Sequence, residues 1–217
     1  ANLEQAYIDA GDTERLRWTI IKTGCTEIAG EDNFDKFIEN SKDMANYKTY
    51  IEKYGWDPDC YIIDPAQHKS ARIVRKYFVP IEKRPEVYNT DKIPLDHRIL
   101  RYADVLLMYA EACAMTNDAN GANTALKIVR QRAGLAEKTF AQADLMAEIE
   151  HQCLLEFFGE GHRFDDLKRW YTTQEIKAIF NANEKQGADN FQEKYKYYPI
   201  PSGELNNNNA MVQTELW

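Results

Sequence analysis

The sequence predicts a mostly α-helical fold in which helical hairpins are combined with long irregular loops and a few short strands. Apolar side chains recur at helical spacing through most of residues 99–217, which is typical of helices packed on one another. Residues 24–98 instead contain frequent Gly, Asp, Asn and Pro and no sustained helical period. We therefore expect a single domain, 1–217, in which an irregular loop-rich segment, 24–98, precedes a helical scaffold, 99–217.

The N-terminal residues predict a short helix followed by an extended run. Apolar spacing places the helix at about Leu3–Ala10, and Gly11-Asp12 then predicts a turn. Leu16–Thr23 is rich in β-branched residues and is expected to be extended. Within the loop-rich segment, Ser70–Val79 alternates in polarity and predicts one strand.

Residues 99–134 predict two antiparallel helices separated by a polar turn. The first helix has an apolar face with a stripe of small residues beside it, a pattern typical of a helix buried among others. The face consists of Tyr102, Leu106, Tyr109 and Cys113, and the stripe of Ala103, Leu107, Ala110 and Ala114. Two helices in this length match one tetratricopeptide unit, and an ordinary helical hairpin fits the pattern as well. Either needs further helices to cover it.

Two further helices are expected in the C-terminal half. One runs from about Asp144 to Phe158 and the next begins near His162, with the Gly159-Glu160-Gly161 break between them. Tyr195–Pro201 is expected to be extended, because two prolines two positions apart exclude a helix. The scaffold is thus predicted to end in a peripheral extended segment.

Composition excludes several classes of protein. A net charge of −8 argues against nucleic-acid binding, which needs a basic surface. The four cysteines show no paired spacing, so buried thiols are expected rather than a disulfide framework. No apolar run is long enough to span a membrane. The chain starts at Ala1 within ordinary sequence, and we expect it to be a piece of something longer.

Groups suited to catalysis or metal binding are present without the spacing that either requires. His151 and His162 lack a metal-ligand pattern, and Asp57, Asp59 and Asp64 lack the calcium-loop pattern. Carboxylates cluster around an arginine at the helix break, where structural ion pairs are the usual role. This cluster contains Glu156, Glu160, Arg163, Asp165 and Asp166. We expect no metal, no cofactor and no enzymatic activity; a hydrolase would require a groove-facing carboxylate pair.

Five segments in the C-terminal part resemble the ordered motifs of the SusD/RagB family. They are Arg101–Ala112, Val129–Leu135, Glu156–Phe164, Asp166–Trp170 and Tyr198–Pro201. One departure is that Gln152-Cys153-Leu154 stands where the family usually has Glu-Arg-Arg. Because family members are far longer, the resemblance implies that this chain is the C-terminal portion of such a protein.

The resemblance implies a surface-exposed lipoprotein of the Bacteroidetes outer membrane. Members bind glycans, or in some cases peptides, and cap a TonB-dependent transporter that imports them. They are binding proteins rather than enzymes, with a tetratricopeptide-like scaffold and irregular loops that carry the ligand site. Membrane association is expected only through an N-terminal lipid anchor that is absent from this chain.

The candidate ligand-binding residues lie in the loop-rich segment, because a long aromatic-rich connection is usually functional. Aromatic faces stack on the apolar faces of sugars while polar groups bind their hydroxyls. The expected ligand residues are Tyr50, Tyr54, Trp56, Asp57 and Tyr61. The alternatives are that these rings pack a small satellite core, and that the chain is a helical-repeat scaffold whose only partner is the transporter.

Overall fold

A computed structural model of the chain describes residues 2–22, 72–77 and 98–217. They belong to two compact units, Ala1–Gly159 and Glu160–Trp217. Most of the predicted loop-rich segment lies outside the described residues. The predicted single domain and its division into a loop-rich segment and a scaffold stay predictions.

The first unit begins with two short helices and a strand: α1 (Asn2–Ala10), α2 (Thr13–Thr19) and β1 (Ile20–Lys22). The helix expected at the N-terminus is therefore confirmed. Strand β1 pairs antiparallel with β2 (Arg72–Val74), and Lys22 lies opposite Arg72 in the register. The Arg72 guanidinium is held in turn by the Glu4 carboxylate of α1, with Nε to Oε2 at 2.8 Å.

The prediction of an extended run over Leu16–Thr23 is wrong for its first half. Helix α2 continues to Thr19 because Asp12 caps it, accepting a hydrogen bond from the backbone N–H of Arg15 at 3.1 Å. A cap satisfies the free N–H groups of the first turn and outweighs the β preference of the residues that follow. Within the predicted strand Ser70–Val79, the described strand covers Arg72–Val74, and the chain turns at residues 75–77.

The predicted helical hairpin is confirmed as α3 (Tyr102–Met115) and α4 (Ala119–Arg132). Asp104, in the first turn of α3, accepts a hydrogen bond from the backbone N–H of Arg101 at 2.8 Å. This contact stabilises the start of the helix. Asp118 caps α4 by accepting from the N–H of Gly121 at 2.9 Å. Gly134 follows α4 with φ +69°, the left-handed conformation that ends many helices.

The buried face of α3 is narrower than the wide apolar face that the two stripes predict. Tyr102 is 68% exposed and Tyr109 is 53% exposed, whereas Ala110 is fully buried. The small-residue stripe is the buried part of this face, and small side chains let neighbouring helices approach closely. Its members, Ala103, Leu107, Ala110 and Ala114, are all buried.

Helix α5 (Leu145–Glu156), preceded by a 3₁₀ turn at Gln142–Asp144, covers the hairpin. It packs on both α3 and α4 and also on α1, so it joins the N-terminal elements to the hairpin. Its inner face is fully buried at Leu145 and Ile149 and nearly so at Cys153. The helix expected here is thus confirmed, with the apolar spacing that predicted it.

The second unit contains short helices around a small core. They are α6 (His162–Trp170), α7 (Thr173–Ala182) and α8 (Ser202–Asn207), with 3₁₀ turns at Ala188–Asn190 and Glu193–Lys196. The core side chains are Leu167, Ile176 and Ala188. The predicted extended segment Tyr195–Pro201 therefore begins at Tyr197, because its first two residues belong to the last 3₁₀ turn.

Candidate functional site

The structure describes none of the five side chains predicted to bind ligand. Tyr50, Tyr54, Trp56, Asp57 and Tyr61 all lie outside the described residues. Their assignment stays a prediction. What the structure does describe is the pair of residues on either side of positions 23–71: Lys22 and Arg72 are direct partners in the β1–β2 register.

A buried carboxylate, Glu156, is the centre of the polar interactions in the first unit. It lies at the C-terminal end of α5 and is 2% exposed. Its Oε1 accepts from Arg101 Nη1 at 2.8 Å and also from Arg132, and its Oε2 accepts from Arg15 Nη1 at 3.4 Å. We call Glu156 and these three arginines the Glu156 cluster.

The Glu156 cluster is extended by the neighbouring turn of α5. Gln152 is fully buried and accepts from Arg15 Nη2 at 2.8 Å, while its amide donates to Glu148 Oε1 at 2.8 Å. Glu148 also accepts from Arg130 Nη1 at 2.6 Å. Gln152 thus links the charged side chains of Arg15 and Glu148 through its neutral amide. It also occupies one of the positions where this chain departs from the SusD/RagB motif.

The electrostatics of the Glu156 cluster suit a structural role. Burial alone would raise the pKa of Glu156, but the hydrogen bonds and positive charges of Arg101 and Arg132 outweigh it, so the pKa is lowered. A carboxylate that stays ionised cannot supply a proton. The backbone carbonyl of Glu156 accepts from Arg101 Nη2 at 3.2 Å and from Lys76, which ties the segment after β2 to the same point.

The aromatic side chains of the second unit form a connected set of rings. Phe191 is central: its ring centroid lies 6.4 Å from that of Phe164, 5.3 Å from that of Phe180 and 6.0 Å from that of Tyr195. The first two contacts are edge-to-face, the geometry that aromatic quadrupoles favour. Tyr195 is thus packed against the partly buried ring of Phe191.

At the outer end of this set, Tyr195 and Trp217 form two walls of a corner. Their ring centroids lie 5.7 Å apart with an interplanar angle of 74°. Tyr195 is 40% and Trp217 42% exposed, so both rings keep open surface. The ammonium of Lys194 lies 5.2 Å from the Tyr195 centroid and 4.9 Å from that of Trp217. We call these three residues the aromatic corner.

Hydrogen bonds position Trp217 and the chain that precedes it. The indole N–H of Trp217 donates to the carbonyl of Tyr197 at 3.3 Å. Nearby, the Gln213 side chain accepts from the N–H of Ile200 at 3.1 Å and donates to its carbonyl at 3.0 Å. The chain around Trp217 is therefore pinned to the extended segment that follows Tyr195.

Sequence reasoning did not find either arrangement. The arginines of the Glu156 cluster lie 141, 55 and 24 positions away from Glu156, separations at which no local pattern operates. The aromatic corner had a local signal in the density of rings at Tyr195, Tyr197 and Tyr198. Trp217, at the other end of the unit's sequence, had none.

Residues 2–22, 72–77 and 98–217 contain neither a cluster of metal ligands nor a membrane-spanning helix. No group of His, Cys, Asp and Glu side chains in this part of the chain is arranged to hold a metal ion. None of the described helices combines the length and the hydropathy needed to cross a bilayer.

The fold defines a mostly helical protein built around a tetratricopeptide-like hairpin. The chain belongs to the SusD family, whose model matches residues 6–217. Comparison with curated proteins finds no match.

Solved structures that resemble the chain include two from Bacteroides species. A SusD superfamily protein from Bacteroides vulgatus ATCC 8482 shares 31% identity over 56% of this chain and 27% of its own, with a TM-score of 0.51. A SusD homolog from Bacteroides thetaiotaomicron VPI-5482 shares the fold at 20% identity, with a TM-score of 0.65 over 100% of this chain and 43% of its own. The chain thus spans less than half the length of either.

Proposed function

We propose that the chain is part of an outer-membrane surface protein that binds glycans and delivers them to a TonB-dependent transporter. The observation that carries the proposal is membership of the SusD family over residues 6–217. The resemblance described above implies glycan capture and transporter association for that family. Attachment to the membrane would be through a lipid anchor of the full-length protein, and the activity would belong to that protein as a whole.

The proposed mechanism is non-covalent capture by the loop-rich segment. The faces of Tyr54, Trp56 and Tyr61 would stack on the apolar faces of sugar rings, and Tyr50 would extend that surface. The Asp57 carboxylate would accept hydrogen bonds from sugar hydroxyls, which gives orientation and selectivity. No metal, cofactor or covalent step is part of this proposal.

The described residues support the proposal through the two residues that flank positions 23–71, the stretch that contains all five candidate ligand residues. Lys22 and Arg72, on either side of this stretch, are direct partners in the β1–β2 register. Arg72 is anchored by Glu4, whose Oε2 lies 2.6 Å from Arg72 Nη2. Joining the two ends of a long segment removes part of its conformational freedom before any ligand binds. Such preorganisation lowers the entropy cost of binding.

A second candidate function, a protein-interaction scaffold, is favoured by the outer face of α3. Tyr102, Val105 and Met108 are 68%, 45% and 53% exposed. A helix that exposes this much apolar surface is suited to packing against another protein surface. Under this alternative the transporter would be the only partner. A third possibility, capture of peptides rather than glycans, uses the same loop residues.

The glycan proposal is tested by calorimetry on the full chain with Trp56→Ala. The probes are a neutral oligosaccharide, maltoheptaose, an acidic one, oligogalacturonate, and an unstructured peptide of mixed sequence. Loss of the ring should weaken binding of the recognised glycan by about tenfold or more. The matched control is Trp18→Ala, since Trp18 is a half-exposed tryptophan on α2, outside the loop-rich segment.

The same measurement separates the alternatives. Unchanged affinity in Trp56→Ala would contradict the assignment of that residue, and binding of the peptide alone would contradict the glycan proposal. For the scaffold alternative, Tyr102→Lys should abolish co-purification with the transporter while leaving glycan binding intact. A Tyr102→Lys variant that still co-purifies removes the support that the α3 face gives to that alternative.

A further inference from the structure

The aromatic corner places a cation between two exposed rings. The Lys194 ammonium and the centroids of Tyr195 and Trp217 form a triangle with sides of 5.2, 4.9 and 5.7 Å. A cation within about 6 Å of a ring centroid is attracted by the negative face of the ring. The Lys194 ammonium is therefore attracted to both rings.

The charge of Lys194 is not neutralised by a carboxylate of the described residues. By contrast, Lys168, which lies 4.9 Å from the Tyr198 ring, forms a salt bridge with Asp165 at 2.5 Å. Lys196 lies 3.9 Å from Glu193 and donates to the carbonyl of Tyr171 at 3.1 Å. Because rings accept no conventional hydrogen bond, the Lys194 ammonium keeps donors for an incoming anionic group.

The walls of the corner are positioned before any ligand arrives. Tyr195 is packed on Phe191, and Trp217 is fixed through its indole N–H to the Tyr197 carbonyl. The residue that carries the ammonium is in the 3₁₀ turn Glu193–Lys196, directly before the Tyr195 wall. Little side-chain freedom remains to be lost on binding, which favours affinity.

We infer that the aromatic corner is a binding subsite for a sugar ring that carries a carboxylate, such as a hexuronic acid. One exposed ring would stack on the apolar face of the sugar, the second would flank it, and Lys194 would donate to the carboxylate. A neutral sugar would cover the ammonium without pairing it, at a cost in desolvation. The inference rests on the proposed glycan-binding function but uses residues outside the loop-rich segment.

The test is calorimetry on the full chain with oligomers of galacturonate, alginate and unsulfated chondroitin. At least one of them should bind, and Lys194→Gln should weaken that binding about ten- to hundredfold, the range for loss of a charged hydrogen bond. Trp217→Ala should weaken it as well. The methyl-esterified form of the same oligomer should bind the wild type and Lys194→Gln equally weakly. Binding to the wild type should also weaken with added salt.

The matched control is Lys138→Gln. Lys138 also lies over a ring, 4.8 Å from the Phe140 centroid. Phe140 is only 8% exposed, so its ring has little surface on which a sugar could stack. Affinity should be unchanged in this variant. Thermal unfolding followed by circular dichroism checks that each variant is folded, which is expected because the substituted side chains lie at the surface.

Three results would overturn the inference: no acidic oligomer binds, binding is the same in Lys194→Gln, or only acidic peptides depend on Lys194. These differ from failure of the proposed function. If Trp56→Ala abolishes glycan binding while Lys194→Gln does not, glycan capture stands and the aromatic corner is not a subsite. If no oligosaccharide binds at all, neutral or acidic, both proposals are wrong.

Discussion

The phenol hydroxyl of Tyr7 donates a hydrogen bond to the backbone carbonyl of Leu155, 148 positions further along the chain. Both side chains are fully buried, and with Ile20 they form a small apolar core between α1, β1 and α5. The last carbonyls of a helix have no partner within it, and Leu155 lies in the last turn of α5. The Tyr7 hydroxyl thus supplies a donor for a carbonyl in the last turn of α5 and links α1 to that helix.

Replacing Tyr7 by Phe should lower the free energy of unfolding by about 1–3 kcal/mol. The ring keeps its packing, but the Leu155 carbonyl is left buried without a donor. Urea unfolding measures the loss. Tyr102→Phe is the control and should be neutral, because Tyr102 is 68% exposed. Equal stability of the two variants would mean that the Tyr7 hydrogen bond contributes nothing.

Tyr7 should also impose a pH dependence on stability in the alkaline range. Burial raises the pKa of Tyr7 to about 12, from 10.0 for a free tyrosine. Since the unfolded chain ionises first, the stabilising effect is complete below pH 10 and is lost as pH rises to about 12. Between pH 10 and about 12, the free energy of unfolding should fall more steeply with pH for the wild type than for Tyr7→Phe. Parallel curves for the two proteins would contradict this account.

Replacing Glu156 by Gln should destabilise the chain strongly, by about 3–5 kcal/mol, because Arg15, Arg101 and Arg132 would all lose the buried, ionised carboxylate that accepts their hydrogen bonds. The control Glu137→Gln removes an exposed partner of Lys127 and should cost less than about 1 kcal/mol. Chemical unfolding at neutral pH distinguishes them. Similar losses in the two variants would show that the Glu156 cluster is no stronger than a surface pair.

The Glu156 cluster also predicts a pH dependence on the acidic side. The arginines lower the pKa of Glu156 below its unfolded value, against the effect of burial. Its contribution is therefore present above the unfolded pKa and is lost as pH falls through the lower, folded pKa. The free energy of unfolding of Glu156→Gln should therefore fall less steeply than that of the wild type as the pH is lowered. The same dependence on pH in the two proteins would contradict the role assigned to the arginines.

Gly121, in the first turn of α4, lies close to Cys113 of α3. A Cβ placed there would lie 2.7 Å from Cys113 Sγ, so Gly121→Ala should destabilise the chain by about 1–3 kcal/mol through overpacking. Gly203, in α8, has no atom within 4 Å of such a Cβ. Gly203→Ala should instead stabilise by up to about 1 kcal/mol. Opposite signs in thermal unfolding are the expected result.

The existence and order of the helices could be predicted from sequence because their signals are local. Apolar spacing, the Asp118 cap and the glycine after α4 each act within a few residues. The Leu16–Thr23 prediction was wrong for its first half because a cap at Asp12 outweighed the preference of the residues that follow.

The candidate sites could not be predicted in the same way, because they depend on residues that are distant in sequence. Arg15 reaches Glu156 across 141 positions, and Trp217 reaches the Tyr197 carbonyl across 20. Neither pairing leaves a periodic or motif-like trace. The loop residues around Trp56 were chosen on composition alone, so their assignment depends on the binding experiment.

The choice of buried face on α3 offers a last test. The sequence predicts one wide apolar face that includes both stripes, whereas the structure buries Ala110 completely and leaves Tyr102 68% exposed. Ala110→Leu therefore forces a larger side chain into a fully buried position and should cost about 1–3 kcal/mol. Tyr102→Gln should stay within about 0.5 kcal/mol of the wild type, as surface substitutions usually do. The reverse order in urea unfolding would mean that Tyr102, and not Ala110, lies on the buried face of α3.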